Sequence, residues 1–252
     1  MNKWRFLLTK YTPYFLIFLF TLCLFHSFFS EDYFMGHDSL YHISSTSAIV
    51  ESLRSGNFNL DILPTAAYDF GYGSGMFYSQ IFHLCSAFLS FLVGDLILAI
   101  KLTHLLVYFL TGCAFYVLLK NLTQNLTQTS PKPSAQTSLQ NPVQISTKPS
   151  AQTSPQNPAQ TQSPTQNPTK ISYVSLLGSL LYLSAPYHLA DHLVRDAETE
   201  AMVFLFIPLI LNSFFHLLTN HERRFIPLFV IGYAGLFLSN SALDIFFTTF
   251  LA

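Results

Sequence analysis

YTPYFLIFLFTLCLFHSFFS, residues 11–30, holds no Asp, Glu, Lys or Arg. Its length is about the 20 residues that a helix needs to cross the hydrocarbon core of a bilayer. Lys3, Arg5 and Lys10 precede it. A cleaved signal peptide is the rival reading, but no A-x-A-like site follows and the apolar core is long for one. The run therefore reads as an uncleaved anchor with its N-terminus in the cytoplasm, and the rest of the chain is read against a membrane.

Composition points the same way. Half of the 252 residues are hydrophobic, 16% are aromatic, with 26 Phe, and only 10% are charged, where a soluble domain carries about 25%. Mean hydropathy is +0.38. The net charge of −1 is uninformative; the placement of charge is not. Cys23, Cys85 and Cys113 lie in apolar runs without disulfide or metal spacing, and read as buried small hydrophobes.

Residues 31–75 are acidic, with Glu31, Asp32, Asp38, Glu51, Asp61 and Asp69. Within them Ser39 to Leu53 reads as a surface-lying helix with Leu40, Ile43, Ala48, Ile49 and Leu53 as its apolar stripe and Gly56 as its stop. A Gly/Tyr-rich loop follows. Met76 to Val93 is apolar, but Gln80 and His83 in its first half make it a poor span, so it is expected to lie on the outer surface. Leu96 to Leu119 is the second span.

Residues 120–170 are rich in Pro, Gln, Ser and Thr. KPSAQTSLQNPVQ at 132–144 returns as KPSAQTSPQNPAQ at 148–160. Such a segment has no core to bury and is expected to be disordered, on the cytoplasmic side. Asn121-Leu-Thr and Asn125-Leu-Thr match glycosylation sequons that would go unmodified there. Ile171 to Pro186 is the third span, Ala201 to Thr219 the fourth, and Phe225 to Leu238 begins the fifth. The domain reading is thus an N-terminal membrane region, 1–119, a disordered loop, 120–170, and further membrane helices, 171–252. The chain stops inside an apolar run, which suggests an N-terminal piece of a longer polypeptide.

The fold class expected is all-α: a polytopic bundle of about five spans with outer juxtamembrane helices. This topology puts nine of twelve Lys/Arg in the cytoplasm and eleven of thirteen Asp/Glu outside, the sense of the positive-inside rule. The location is a cell membrane, crossed several times.

Two polar clusters then share the outer surface. One is GHDSLYH, residues 36–42. Asp38 and His42, four apart, share a face on a helix, and a carboxylate beside an imidazole can do acid–base chemistry. The other runs from His188 through Asp191, His192 and Arg195 to Asp196, Glu198 and Glu200. Taken one at a time, these read first as solvated loop residues; for Asp38 and Arg195, each beside an apolar segment, the two readings weigh equally. His188 and His192 have a spacing that can bind zinc, but the HExxH pattern is missing, and no metal ligand is assigned. No cofactor is expected, and the involvement of a divalent metal stays open. No phosphate-binding Gly loop or nucleophile elbow occurs. No basic face fits nucleic acid.

Three stretches carry a resemblance: GHDSLYHISSTSAIVESLRSGNF from Gly36, YDFGYGSGMFY from Tyr68, and LYLSAPYHLADHLVRDAETEAMVFLFIPL from Leu181. With the N-terminal anchor, their order resembles the bacterial polytopic membrane proteins labelled 6-pyruvoyl-tetrahydropterin synthase-related. Those resemble GT-C glycosyltransferases and are similar to YfhO-type proteins. The most specific parts are the D-x-x-x-H of Asp38 and His42 and the run ending at Glu200. The pterin synthase itself is a small soluble zinc enzyme with a different make-up.

The resemblance implies an enzyme that takes sugar from a polyprenyl-phosphate-linked donor on the extracytoplasmic face. It places Asp38 as base, His42 as its orienting partner, Arg195 on the lipid phosphate with Lys101 or Arg54 behind it, and Glu200, Asp191 and Asn240 beside the substrate. Its partners would be membrane lipid and the lipid-linked sugar; protein partners are not specified. The alternative is a non-catalytic scaffold for surface-polymer assembly or export. A transporter fits less well, since broken helices with polar residues at mid-membrane are not evident.

Overall fold

A computed structural model describes residues 3–29, 35–67, 69–129, 168–240, 245 and 247–249. The expectation of disorder at 120–170 falls largely outside them. The described part is all-helical, apart from one isolated antiparallel bridge between Leu63 and Tyr72.

Helix α1 runs Lys3–Leu24 and is followed by one 3-10 turn, His26–Phe29. Helix α2, Ser39–Arg54, begins where Asp38 meets the loop and ends near Gly56, whose φ of +77° suits glycine. The stripe expected for α2 differs in part. Ala48 and Ile49 are buried, but Leu40 is 70% exposed. Ser39, His42, Ser45, Thr46 and Ser52 fill the buried side instead, because this face packs against polar groups as well as apolar ones.

Helix α3, Ile81–Val93, is 13 residues long, or about 20 Å at 1.5 Å per residue. That is short of the roughly 30 Å of a bilayer core. The segment Met76–Val93 is not one helix: a single turn, Ser74–Phe77, stands apart from α3. Gly94, with φ +77°, ends it.

Helix α4, Leu96–Thr129, and helix α7, Glu198–Asn220, contain the two stretches long and apolar enough to cross a membrane, Leu96–Leu126 and Glu198–Thr219. Helix α5, Pro168–Leu183, and helix α8, Ile226–Ser239, are apolar but shorter, as is the apolar part of α1, Lys10–Leu24. Pro208 sits inside α7. Between α5 and α7 lie the short helix α6, Pro186–Ala190, and one π turn, Asp191–Arg195.

Helix α4 is the spine, packed by α1, α3, α5 and α7. One core joins Phe82, Ile100, Val107, Met202, Phe206, Ile210 and Leu236 across α3, α4, α7 and α8. A second joins Ile17, Phe25, Tyr108, Tyr116 and Leu183 across α1, α4 and α5. Small residues let the helix backbones approach closely. A Cβ on Gly112 would stand 2.7 Å from Ile17 and 2.8 Å from Leu183. Ser179 of α5 donates to the Gly112 carbonyl at 2.7 Å. Near the other end of α4, the Asn121 amide donates to Asn212 at 2.8 Å and lies 3.1 Å from His216, tying α4 to α7.

Candidate functional site

The loop before α2 docks on the π turn. The Asp38 backbone N–H donates to the Arg195 carbonyl at 2.9 Å and that of His37 to Val194 at 3.2 Å. The approach is close: a Cβ on Gly36 would stand 2.6 Å from the Asp196 Cβ and 3.0 Å from the Arg195 carbonyl carbon. The π turn closes with the Asp196 N–H donating to the Asp191 carbonyl, and Asp196 adopts φ +59°, ψ +43°. An aspartate tolerates that left-handed conformation better than most residues. π turns concentrate at functional sites, and here it turns Asp196 inward while Arg195 stays half-exposed.

Asp196 is the hub. Its side chain is fully buried. It accepts from Ser39 Oγ, which in turn accepts the Gly36 N–H at 2.6 Å. His104 Nε2 lies 3.0 Å from its other oxygen. Burial alone would raise the Asp196 carboxyl, but the bonds from His104 and Ser39 outweigh it and hold it well below the usual carboxylate range. Glu198, also fully buried, contacts His104 Nε2. His192 lies 6.0 Å from His104, ring to ring. Ligand atoms of His104, His192 and Glu198 fall within 4.8 Å of one another. Burial pushes the His192 imidazole well below its ordinary value.

Next to this cluster, His42 Nδ1 and His83 Nε2 are 2.8 Å apart with the rings stacked at 29°. Burial lowers both, His83 to about 3. Both rings are thus neutral, one donating and the other accepting. His42 therefore turns to His83, and no hydrogen bond joins its ring to Asp38. Their shared spacing does not make them a pair, because Asp38, at the N-cap position of α2 with no side-chain cap bond, is exposed while His42 is 3% exposed.

Arg195 sits in a carboxylate clamp. It reaches Asp191 at 2.7 Å and forks onto Glu200 at 2.8 and 3.2 Å. Tyr187 donates to Glu200 at 2.9 Å. The forked bond to Glu200 raises the guanidinium further above its ordinary value. Burial and the Glu200 charge raise the Asp191 carboxyl, against Arg195. Lys101 is buried on α4, one turn before His104, and Asn240 is half-buried at the C-cap of α8. The guanidinium of Arg54 lies 5.9 Å from the Phe91 ring, away from this cluster in sequence and helix.

The loop at Asp38 thus docks by its backbone beside the Arg195 clamp, in which Asp191 is buried, while Asp196, His104, His192 and Glu198 lie buried together. Sequence reasoning passed over His104 and His83 and gave Asp196 and Glu198 no role. A usable signal existed for His104: an imidazole inside the apolar run Leu96 to Leu119 is costly unless it has partners.

Comparison of the chain with family models, with curated proteins and with solved structures gives no match.

Proposed function

We propose that this chain is a multi-pass membrane protein of five spans, N-terminus cytoplasmic, that transfers sugar from a polyprenyl-phosphate-linked donor on the extracytoplasmic face. The observation that carries the reading is the docking of Asp38 on Arg195 by a backbone hydrogen bond of 2.9 Å. It joins the backbones of two residues separated by 156 intervening ones, with the Asp38 side chain exposed and that of Arg195 half-exposed. The resemblance to 6-pyruvoyl-tetrahydropterin synthase-related and GT-C proteins supplies the reaction class.

The span count is supported by the outward faces of the shorter helices. Phe15 and Phe18 of α1, Leu177 and Leu181 of α5, and Val230, Ile231 and Phe237 of α8 are each at least 42% exposed. Contiguous apolar surface of this kind is costly in water and at home in lipid. On this reading α1, α5 and α8 cross with α4 and α7; α3, which also exposes Phe88 and Leu92, is placed at the outer surface because Gln80 and His83 interrupt the start of its apolar run.

In the reaction, an acceptor hydroxyl oxygen bonds to the anomeric carbon as the bond from that carbon to the phosphate oxygen breaks. The lipid phosphate leaves with the electron pair. Asp38 takes the hydroxyl proton and later releases it to water. Arg195 pairs with the departing phosphate, for which its fork is suited, by exchanging one of its carboxylate partners. Asp191 and Glu200 hold it in place beforehand. Lys101 and Asn240 are the remaining candidates for substrate contact.

Asp38→Asn tests this in membranes expressing the full chain, with transfer from radiolabelled lipid-phosphate sugars as the readout. Loss of at least about 100-fold, the size expected of a general base, with expression unchanged supports the enzyme. Equal transfer by both forms rejects it. The saturation of Arg195 by Asp191 and Glu200 favours a second reading, a scaffold for surface-polymer assembly or export, in which the clamp simply fixes the loop. In that case Asp38→Asn leaves polymer export unchanged, while Arg195→Ala lowers it through lost assembly.

A further inference from the structure

We propose that His104, His192 and Glu198 form a binding site for one divalent transition-metal ion of the zinc class. The site stands apart from the sugar-transfer reading, which gives none of these three residues a role.

The three side chains are fully buried and come from different elements: α4, the π turn and the first turn of α7. Their ligand atoms lie within 4.8 Å of one another. Ligands about 2.0–2.1 Å from a tetrahedral ion sit about 3.4 Å apart, so the widest pair closes by no more than about 1.4 Å. Neither ring nitrogen of His192 has a hydrogen-bond partner among the described residues. A buried polar side chain left so needs a reason, and a bound ion is one.

The tautomer of His104 also fits. Its Nδ1 faces the Ile100 carbonyl at 3.2 Å and must carry the proton to donate there. Nε2 faces Asp196 at 3.0 Å and touches Glu198, so without an ion the ring sits between two carboxylates as a doubly protonated imidazolium. A divalent ion bound at Nε2 would replace that proton as the cation the three groups share, leaving Nδ1–H on the carbonyl. A carbonyl on the far nitrogen is the arrangement that orients metal-binding histidines. Two carboxylates, Asp196 and Glu198, balance one divalent charge, which burial demands.

Two imidazoles disfavour calcium and magnesium, and the absence of thiolate from the set disfavours copper(I). Three protein ligands leave a fourth position open, as in catalytic rather than structural zinc sites. Around the ligands stand the rings of Phe25, Phe28, Phe82 and Tyr108, at 4.9–5.8 Å from the His104 or His192 ring. Such an apolar wall excludes water and strengthens the ion's hold on its ligands.

The full chain, purified in detergent and stripped with chelator, is titrated with Co²⁺ and then Zn²⁺. The expected result is one Co²⁺ per chain with visible d–d absorption, displaced by one Zn²⁺. Asp196→Asn weakens binding about 10–100-fold, the usual effect of losing a supporting carboxylate. His192→Cys adds a thiolate-to-cobalt charge-transfer band, a gain of signal that a misfolded chain does not give. His216→Gln, at the far end of α7, leaves binding unchanged. The proposal is overturned if the monodisperse wild-type chain takes up neither metal saturably. It is equally overturned if metal binds but His192→Cys gives no charge-transfer band and Glu198→Gln binds as wild type does.

Discussion

His42 shows how far a side chain's neighbours decide its chemistry. Four residues from Asp38, it reads as an acid–base partner; three-dimensional packing instead stacks it on His83, at 2.8 Å. Burial lowers its pKa, so the folded chain holds it neutral while the unfolded chain protonates it below about 6.5. The sign follows. The unfolded state binds more protons in the interval below 6.5, so stability is full above that pH and is lost as pH falls. His188, pushed to about 4 by burial, acts in the same direction. Asp191, raised, acts in the opposite one. The test is therefore a difference. Between about pH 7.5 and pH 5.5, the melting temperature in detergent should fall more for the wild type than for His42→Asn. Equal slopes would mean that His42 is not held neutral by the fold.

At the scale of elements, contact between α1, α4 and α5 rests on Gly112. In the proposed membrane setting, burying apolar surface gives little net drive, so close packing and interhelical hydrogen bonds hold these helices. Gly112→Val would drive methyls into Ile17 and Leu183 and spread the carbonyl that Ser179 grips. The expected loss is about 1–3 kcal/mol, read as a lower melting temperature. Gly235 packs on the Phe206 ring in the same way across α7 and α8. Unchanged melting for Gly112→Val would show that the three helices are not packed as described. The helices themselves were legible, because apolar runs and their polar breaks mark them: Leu96, Ile171, Ala201 and Phe225 all fall within a few residues of an observed helix start. Lengths were less so. Met76 to Val93 is continuous in composition but breaks at Tyr78 to Gln80. Of the site, composition exposed Asp38, Arg195 and Glu200, which stand at polar boundaries. It concealed His104, a lone imidazole in an apolar helix, and His83. Their partners come from α2, the π turn and α7, and no local pattern announces a contact between residues 92 apart.

At the scale of the whole molecule, the two stretches long and apolar enough to cross a membrane run through α4 and α7, which pack on each other. Carboxylates collect with the π turn and the loop before α2. Arg223 and Arg224 lie at the opposite end of α7, where Arg224 pairs with Glu222 at 2.9 Å. In the proposed topology, that asymmetry orients the chain. It was readable from sequence because charge that must stay in water separates cleanly from the apolar runs between. The docking of Asp38 on Arg195 was not readable, since it depends on how α2 and the π turn pack. The most direct test labels single cysteines in intact cells with a membrane-impermeant maleimide, in a background lacking Cys23, Cys85 and Cys113. Asp38→Cys and Val194→Cys, both at exposed positions, should react from outside, while Arg223→Cys should react only after lysis. Labelling of position 38 with protection of position 194, or of 223 before lysis, would contradict the account.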